Sequence, residues 1–506
     1  MGSFVRRVKT ASGATAVQIM HKKGREVIGI DHIGSAHNEA ELEWLLSEAQ
    51  DRLHAGEQML DFKDPEEPEA VEFGGPAKPM VTATGSLVLW DALVGLYDAL
   101  GFGQIKDDAF KALVLGRIIE PTSKADTVRV LTEIGVKSPT RVTFMRCLKR
   151  VIERDYRDTI SAACYAHATT GGGLAMVLYD LTTLHFETDK EDNLRKVGMS
   201  KERRVDPQVT VGLLTDTSGF PLQIHLFEGN KAETKTLIPV LTQFKERHGS
   251  AEVIVVADAG MLSAANLLAL EDAGFRFIVG SRAAKTPYDL AEHLERHGDY
   301  FTNGQVIETT RDMGTGAQKR IRRVVYQYRF KRSQHDNKAI NAMIARAEDI
   351  ASGQRPLKRD RFVRIDGAKK GVDWALVERA RSMMGLKGYV TNIDTAAMAG
   401  ADVIQAYQDL YQVERSFRMT KSDLAARPIF HRVRDSIEAH LSVVFAALAI
   451  SREAQKRTGL SIKKVLTTLR PLRSATITIG RQQLTAPPQI PADAQRVLKD
   501  LAKSGH

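Results

Sequence analysis

The chain has 506 residues, with 72 Lys and Arg against 62 Asp and Glu, a formal net charge of +10 and 43% hydrophobic residues. That length allows about three domains, and the composition is that of an ordinary globular protein, which excludes a disordered or collagen-like chain. The positive balance favours a polyanionic partner. The longest unbroken apolar run, Val443 to Ile450, is far short of the roughly 20 residues that span a bilayer, and no N-terminal signal is visible, so the expectation is a soluble cytoplasmic protein with no membrane partner.

In chain order, residues 1–60 read as a small α+β module. Phe4–Val8 and Ala16–Met20 are strand-like, and Glu39–His54 carries Leu42, Leu45, Leu46 and Ala49 on one helical face. Residues 61–83 are acidic and contain Pro65, Pro68 and Pro76, the composition of a linker. Residues 84–170 read as helical: Leu87–Leu100, Phe110–Ile118, Ala125–Ile134 and Arg141–His167. The pair Ala125–Ile134 and Arg141–Arg154 suits either a DNA-binding helix-turn-helix or a plain bundle corner. The two cysteines, Cys147 and Cys164, lack a CxxC spacing and read as reduced core residues. Gly171-Gly172-Gly173 is a joint, without the context of a phosphate loop.

From there the pattern becomes strand-rich. Residues 174–184, Gln208–Leu214 and Leu222–Phe227 suggest a meander, followed by a helix from Thr234 to Glu246 and a strand from Glu252 to Ala257. A helix capped by Ser263 and the strand Phe275–Gly280 continue the alternation. Between 286 and 385 it stops. Val306–Thr310, Arg322–Phe330 and Arg361–Ile365 are strand-like, with a helix at 336–350. From Lys319 to Lys370 there are 16 Lys and Arg against 5 Asp and Glu, a local excess of +11 interleaved with Tyr326, Tyr328 and Phe330. Such a stretch repels itself without a polyanion nearby, which points to DNA contact, with Lys319, Arg320, Arg322 and Arg323 as candidates.

Three acids stand out. Asp180 interrupts the apolar run Ala175–Leu181, Asp258 ends the run Val253–Ala257, and Glu414 lies in a helix-like stretch, Tyr407–Lys421. An acid at the end of a buried strand is costly unless it is paired or binds a cation. Two carboxylates about 4 Å apart repel by roughly 4 kcal/mol at an effective dielectric of 20, so gathering them calls for a divalent metal. Read as one continuous helix, the stretch puts Tyr407, Glu414, Arg418 and Lys421 within an arc of roughly 60°, beside an anchoring face of Leu410, Val413, Phe417 and Leu424. Glu438 and His440 look weakly like metal ligands but read as surface and packing residues. No Ser-His-Asp order or Walker loop competes with the acids.

The spacing from Tyr407 to Glu414 to Lys421, with two upstream Asp, resembles that of the DDE transposases of bacterial insertion sequences, in particular the IS-four superfamily with its Tyr-Arg-Glu-Lys signature. The resemblance covers roughly residues 174–450. It departs at Leu410, where the family has Arg, and Arg418 is the candidate substitute. What it implies for the fold is an RNase H-like α/β core, a mixed five-stranded sheet in which the fourth strand lies beside the first and brings Asp258 to Asp180. The core would comprise residues 171–285 and 386–454, interrupted by a basic strand-rich insertion at 286–385 and followed by a helical appendage at 455–506.

The implied chemistry is cleavage of DNA ends and strand transfer through a hairpin. Two Mg²⁺ or Mn²⁺ ions would be held by Asp180, Asp258 and Glu414, and phosphates by Tyr407 and Lys421. The implied partners are double-stranded transposon ends and target DNA, bound by a homodimer in the bacterial nucleoid. A junction resolvase or other RNase H-like nuclease would share the acids, and an inactive transposase-derived DNA-binding protein is the other alternative.

Overall fold

The computed structural model describes residues 2–9, 14–23, 26–36, 41–42, 45–46, 48–49 and 53, and residues 80–503 except for short gaps. The gaps are 171–173, 189, 199–205, 233–234, 250–252, 262, 282–294, 296–297, 299, 315, 317–318, 357–359, 367–368 and 480–481. The expected linker at 61–79, the triple glycine and most of the helix at 39–54 lie outside the described residues. The chain divides into two units, 1–77 and 78–506.

In the first unit, β1 (Gly2–Lys9), β2 (Thr15–Lys23) and β3 (Glu26–Ala36) form an antiparallel sheet in sequence order. Val17, Ile19 and Ala36 close its core with Leu45 and Ala49. The third strand was not expected, because Gly29, Asp31, His32 and Gly34 dilute its apolar pattern and most of it is exposed.

The second unit starts with a strand, β4 (Met80–Gly85), where the sequence suggested linker. β4 pairs with β15 (Ser474–Ile479), which pairs with β16 (Gln482–Ala486). The C-terminal segment is thus a hairpin between two helices, α13 (Ile462–Leu469) and α14 (Ala492–Ala502), rather than helical throughout.

Five helices follow β4: α1 (Leu87–Ala99), α2 (Asp108–Ile119), α3 (Thr127–Glu133), α4 (Arg141–Glu153) and α5 (Tyr156–Thr169). The single helix expected from Arg141 to His167 is broken at Asp155, which adopts φ 47° and caps α5 through Asp158 N. Asp tolerates that left-handed turn better than most residues. Asp107 caps α2 at 3.1 and 3.2 Å and also accepts from Arg150 on α4 and Tyr156 on α5. One carboxylate thereby fixes three helices. These pack on α12 (Arg434–Thr458), which is buried on nearly every side from Ile437 to Ala454, as a helix apolar all round must be. Cys147 and Cys164 are buried and free, and burial pushes both thiols above their usual range.

The main sheet is built from β5 (Met176–His185), β6 (Gln208–Thr215), β7 (Pro221–Glu228), β8 (Ile254–Ala257), β9 (Arg276–Ser281), β10 (Val306–Met313), β11 (Arg320–Tyr328) and β14 (Leu386–Thr391). Its order is β10-β11-β14-β9-β8-β5-β6-β7, parallel at β5–β8 and β8–β9 and antiparallel elsewhere. The β5–β6–β7 meander, the return of the fourth strand to the first and the helix α6 (Leu237–His248) between them match the sequence expectation. Ser263 caps α7 (Ala264–Asp272) as expected, accepting from Asn266 N at 3.0 Å.

The sheet has eight strands where five were expected, because β10, β11 and β14 extend it past β9. The true excursion lies between β11 and β14: the long helix α8 (Phe330–Ala351), the hairpin β12 (Val363–Asp366) and β13 (Lys369–Val372), and α9 (Trp374–Arg381). It has its own small core around Ile344, Ala347, Phe362 and Val377.

Candidate active site

β5 and β8 run parallel with Tyr179 opposite Ala257. Asp180 and Asp258 therefore each follow the paired position by one residue, Asp180 within β5 and Asp258 just past the end of β8, on strands roughly 4.8 Å apart. Asp180 is half-buried within β5, while Asp258 is exposed at the end of β8. Glu414 is exposed on α11 (Leu410–Ser422), which packs on β5 and β6 through buried Val413 and Phe417. Leu410, Leu424 and the rest of the expected anchoring face are buried.

The helix carrying Glu414 is not continuous with Tyr407. α10 (Gly400–Gln408) ends just before Asp409, and Gln412 N bonds back to Asp409 O at 2.8 Å, a tight three-residue turn. That turn changes the phase between the two helices. Arg418 stays exposed and Lys421 half-exposed on α11, but Tyr407 turns into the core, which corrects the expectation of one open arc. Its phenol donates to Asp258 Oδ1 at 2.6 Å, beside the Ala259 N–H at 2.7 Å. Burial and that bond push the Tyr407 phenol well above the usual range, so it stays a donor. The ring fits because β9 has Gly280 there; a Cβ at that position would lie 2.5 Å from Tyr407 Oη.

Sequence reasoning missed Lys387 on β14. Its ammonium lies 4.3 Å from the Tyr407 ring centroid and 5.5 Å from that of Tyr389. Burial and the Arg332 guanidinium hold it below the usual lysine range, against the opposing pull of Asp258 and Glu414. Two acids remote in sequence thus act on one half-buried cation. Beside it a cavity of about 480 Å³ is lined by Asp258, Tyr407, Lys387, Arg332, Arg361 and Arg379. The signal for Lys387 was only its place in a strand that pairs with β9, and nothing local in the sequence reveals that.

The carboxylates offer the all-oxygen donors that hard divalent cations require. Among the described residues, however, no three His, Cys, Asp or Glu side chains come close enough to hold one ion together. The donor chemistry and the adjacency of Asp180 and Asp258 fit a metal, while Glu414 is not drawn into a closed cluster with them.

The four basic candidates of the 319–323 segment divide. Lys319 pairs with Asp312 at 2.5 Å at the surface, and Arg320 is exposed. Arg322, only 2% exposed, makes two 2.8 Å bonds to Glu271 on α7. Arg323 is buried against Glu308 and the carbonyls of Ile393 and Met398. Both guanidiniums are buried and paired within the protein, which corrects the expectation that they face DNA. Glu438 pairs with Arg157 and Arg434, which occupy its carboxylate, and His440 is buried away from it on the same helix. No helix among the described residues is long and apolar enough to cross a membrane.

Residues 175–450 match the model of the transposase DDE domain. Among solved structures the chain is similar to a piggyBac transposase synaptic complex with hairpin DNA, with a TM-score of 0.40 and 10% identity, over 78% of this chain and 82% of that chain. No curated protein matches it. The matched span covers more than half of the sequence, from the strand that carries Asp180 through the helix that carries Glu414, and the chain belongs to the transposase DDE domain family.

Proposed function

We propose that this chain is a transposase that cuts and joins DNA ends, with Asp180, Asp258 and Glu414 as its carboxylate triad on an RNase H-like core. The observation that carries the reading is the parallel pairing of β5 and β8. It sets two acids 78 positions apart on neighbouring strands inside the family's span. Mg²⁺ or Mn²⁺ held by Asp180 and Asp258, with Glu414 closing on them, would supply charge stabilisation for in-line phosphoryl transfer.

The chain's own side chains have distinct tasks. Tyr407 holds Asp258 in one orientation through its 2.6 Å bond. Lys387, acted on by both Asp258 and Glu414, would add positive charge where phosphate charge builds up. Lys421 and Arg418, on the helix of Glu414, would contact strand phosphates, with Arg418 standing in for the Arg that the IS-four pattern has at Leu410. Lys319 and Arg320 supply surface charge for double-stranded transposon ends and target DNA. Hairpin-type strand transfer by a homodimer in a bacterial nucleoid is the form of the reaction that this signature supports.

The test is Asp180→Asn in an end-cleavage assay with DNA binding measured in parallel. Cleavage should be abolished and binding largely retained. Cleavage at the wild-type rate would reject the triad.

A further inference from the structure

At the C-terminal end of α11, a cavity of about 450 Å³ is lined by Arg117, Lys124, Arg427, Phe430, His431 and His440, and by no carboxylate. It gathers the half-buried Arg117, Lys124 and His431 around the buried His440. Arg117 donates only to the carbonyls of Leu424 and Ala425, at 3.4 and 3.3 Å. Lys124 Nζ meets His431 Nε2, and among the described residues no acid pairs with Lys124 or Arg117. His440, 4% exposed, donates from Nε2 to Ala426 O at 3.3 Å and leaves a buried Nδ1 with no hydrogen-bond partner. Its ring lies 5.4 Å from that of His431.

We propose that this pocket is a phosphate site, and that it holds a phosphodiester of a DNA strand running from the carboxylates along α11. Buried cations without an anion are costly, and a phosphate supplies both the missing charge and acceptors for Lys124, Arg117 and the histidines. Burial first, and mutual repulsion second, disfavour the charged forms here. Burial and Arg117 bring Lys124 down to about 7, and burial with Lys124 and Arg117 brings His431 to about 4. His440 is held low by the same causes. An anion would offset the repulsive part of each of these effects. A DNA source is favoured by Phe430, which is 76% exposed at the mouth and offers a ring to a sugar or base. Position favours it too: the eight-residue step from Glu414 to Ser422 along α11, at the helical rise, makes roughly 12 Å, or about three to four nucleotides of one strand, and the pocket lies just past that end. The DNA part of this proposal rests on the transposase reading; the phosphate site itself does not.

The test has two arms, each on the full chain. In the first, wild-type protein and Lys124→Met are melted in sodium phosphate and in sodium chloride of equal ionic strength. The wild type should gain stability in phosphate, and Lys124→Met should lose that gain while still melting cooperatively in chloride. An equal gain in both is the general salt effect and overturns the site. In the second, binding of a labelled duplex oligonucleotide is followed against salt. Lys124→Met should lower the slope of log K by about 0.9, one phosphate, and Lys124→Arg should restore it. An unchanged slope with the phosphate gain lost means that the pocket takes free phosphate, and overturns the DNA source. If the wild type shows no salt-dependent DNA binding, the transposase reading falls while the first arm still judges the pocket.

Discussion

Tyr407 shows how a single side chain changes role between sequence and structure. Its register with Glu414 and Lys421 suggests a phosphate contact, yet its phenol is buried and donates to Asp258. A hydrogen bond to a charged group contributes roughly 1.5–3 kcal/mol, or about 10- to 150-fold in rate if it is fully expressed in the transition state. Tyr407→Phe should therefore slow end cleavage by about that factor while keeping the ring's packing against Tyr389 and Lys387. Single-turnover nicking measured beside thermal melting checks this. Cleavage within twofold of wild type would mean that Asp258 needs only its bond from Ala259 N. Asp180 and Asp258 were legible because each breaks an apolar run. Tyr407 and Lys387 were not, because their setting depends on a helix break at Asp409 and on a strand pairing that no local pattern encodes.

At the scale of elements, the β5–β6–β7 meander and the return of β8 were legible from apolar strands separated by turns and a helix. The outer half of the sheet was not. β11 carries Arg320, Arg322 and Arg323, and a basic run reads as surface until the acids that receive it are known. Those acids, Glu271 and Glu308, lie 51 and 15 residues away in sequence. The two halves of the run should respond in opposite ways. Arg322→Ala leaves the Glu271 carboxylate without its partner and should cost about 3–5 kcal/mol, read as a fall in the urea midpoint. Replacing Lys319 and Arg320 by Ala should leave stability within about 0.5 kcal/mol and flatten the DNA salt dependence by up to about 1.8 in slope. A stable Arg322→Ala protein, or an unchanged slope in the double variant, would reverse this division of the charge between core and surface.

At the scale of the whole second unit, one buried acid connects parts that are distant along the chain. Glu453 on α12 is fully buried and accepts from His167 on α5 at 3.1 Å and from Arg457 at 2.7 Å. Arg457 in turn donates to Leu501 O on α14 at 2.8 Å, so the C-terminal helix is held by the same network. Burial pushes the Glu453 carboxyl up, but the bonds from His167 and Arg457 outweigh it and bring it from 4.5 to about 2. With the folded value below the unfolded one, the unfolded chain binds more protons in that window. The contribution is thus complete above 4.5 and is lost as pH falls towards 2. A shift of that size corresponds to about 3 kcal/mol. Lys124 acts in a different window: its folded value of about 7 against 10.5 makes stability rise with pH between those limits, and its slope vanishes below them. Urea midpoints of wild type and Glu453→Gln measured from neutral pH to pH 3 isolate the carboxylate. The variant should be less stable by about 3 kcal/mol near neutrality, and the two curves should converge as the medium becomes acid. Curves that stay parallel would mean that the network holds α5, α12 and α14 through packing alone, without help from the ionised Glu453.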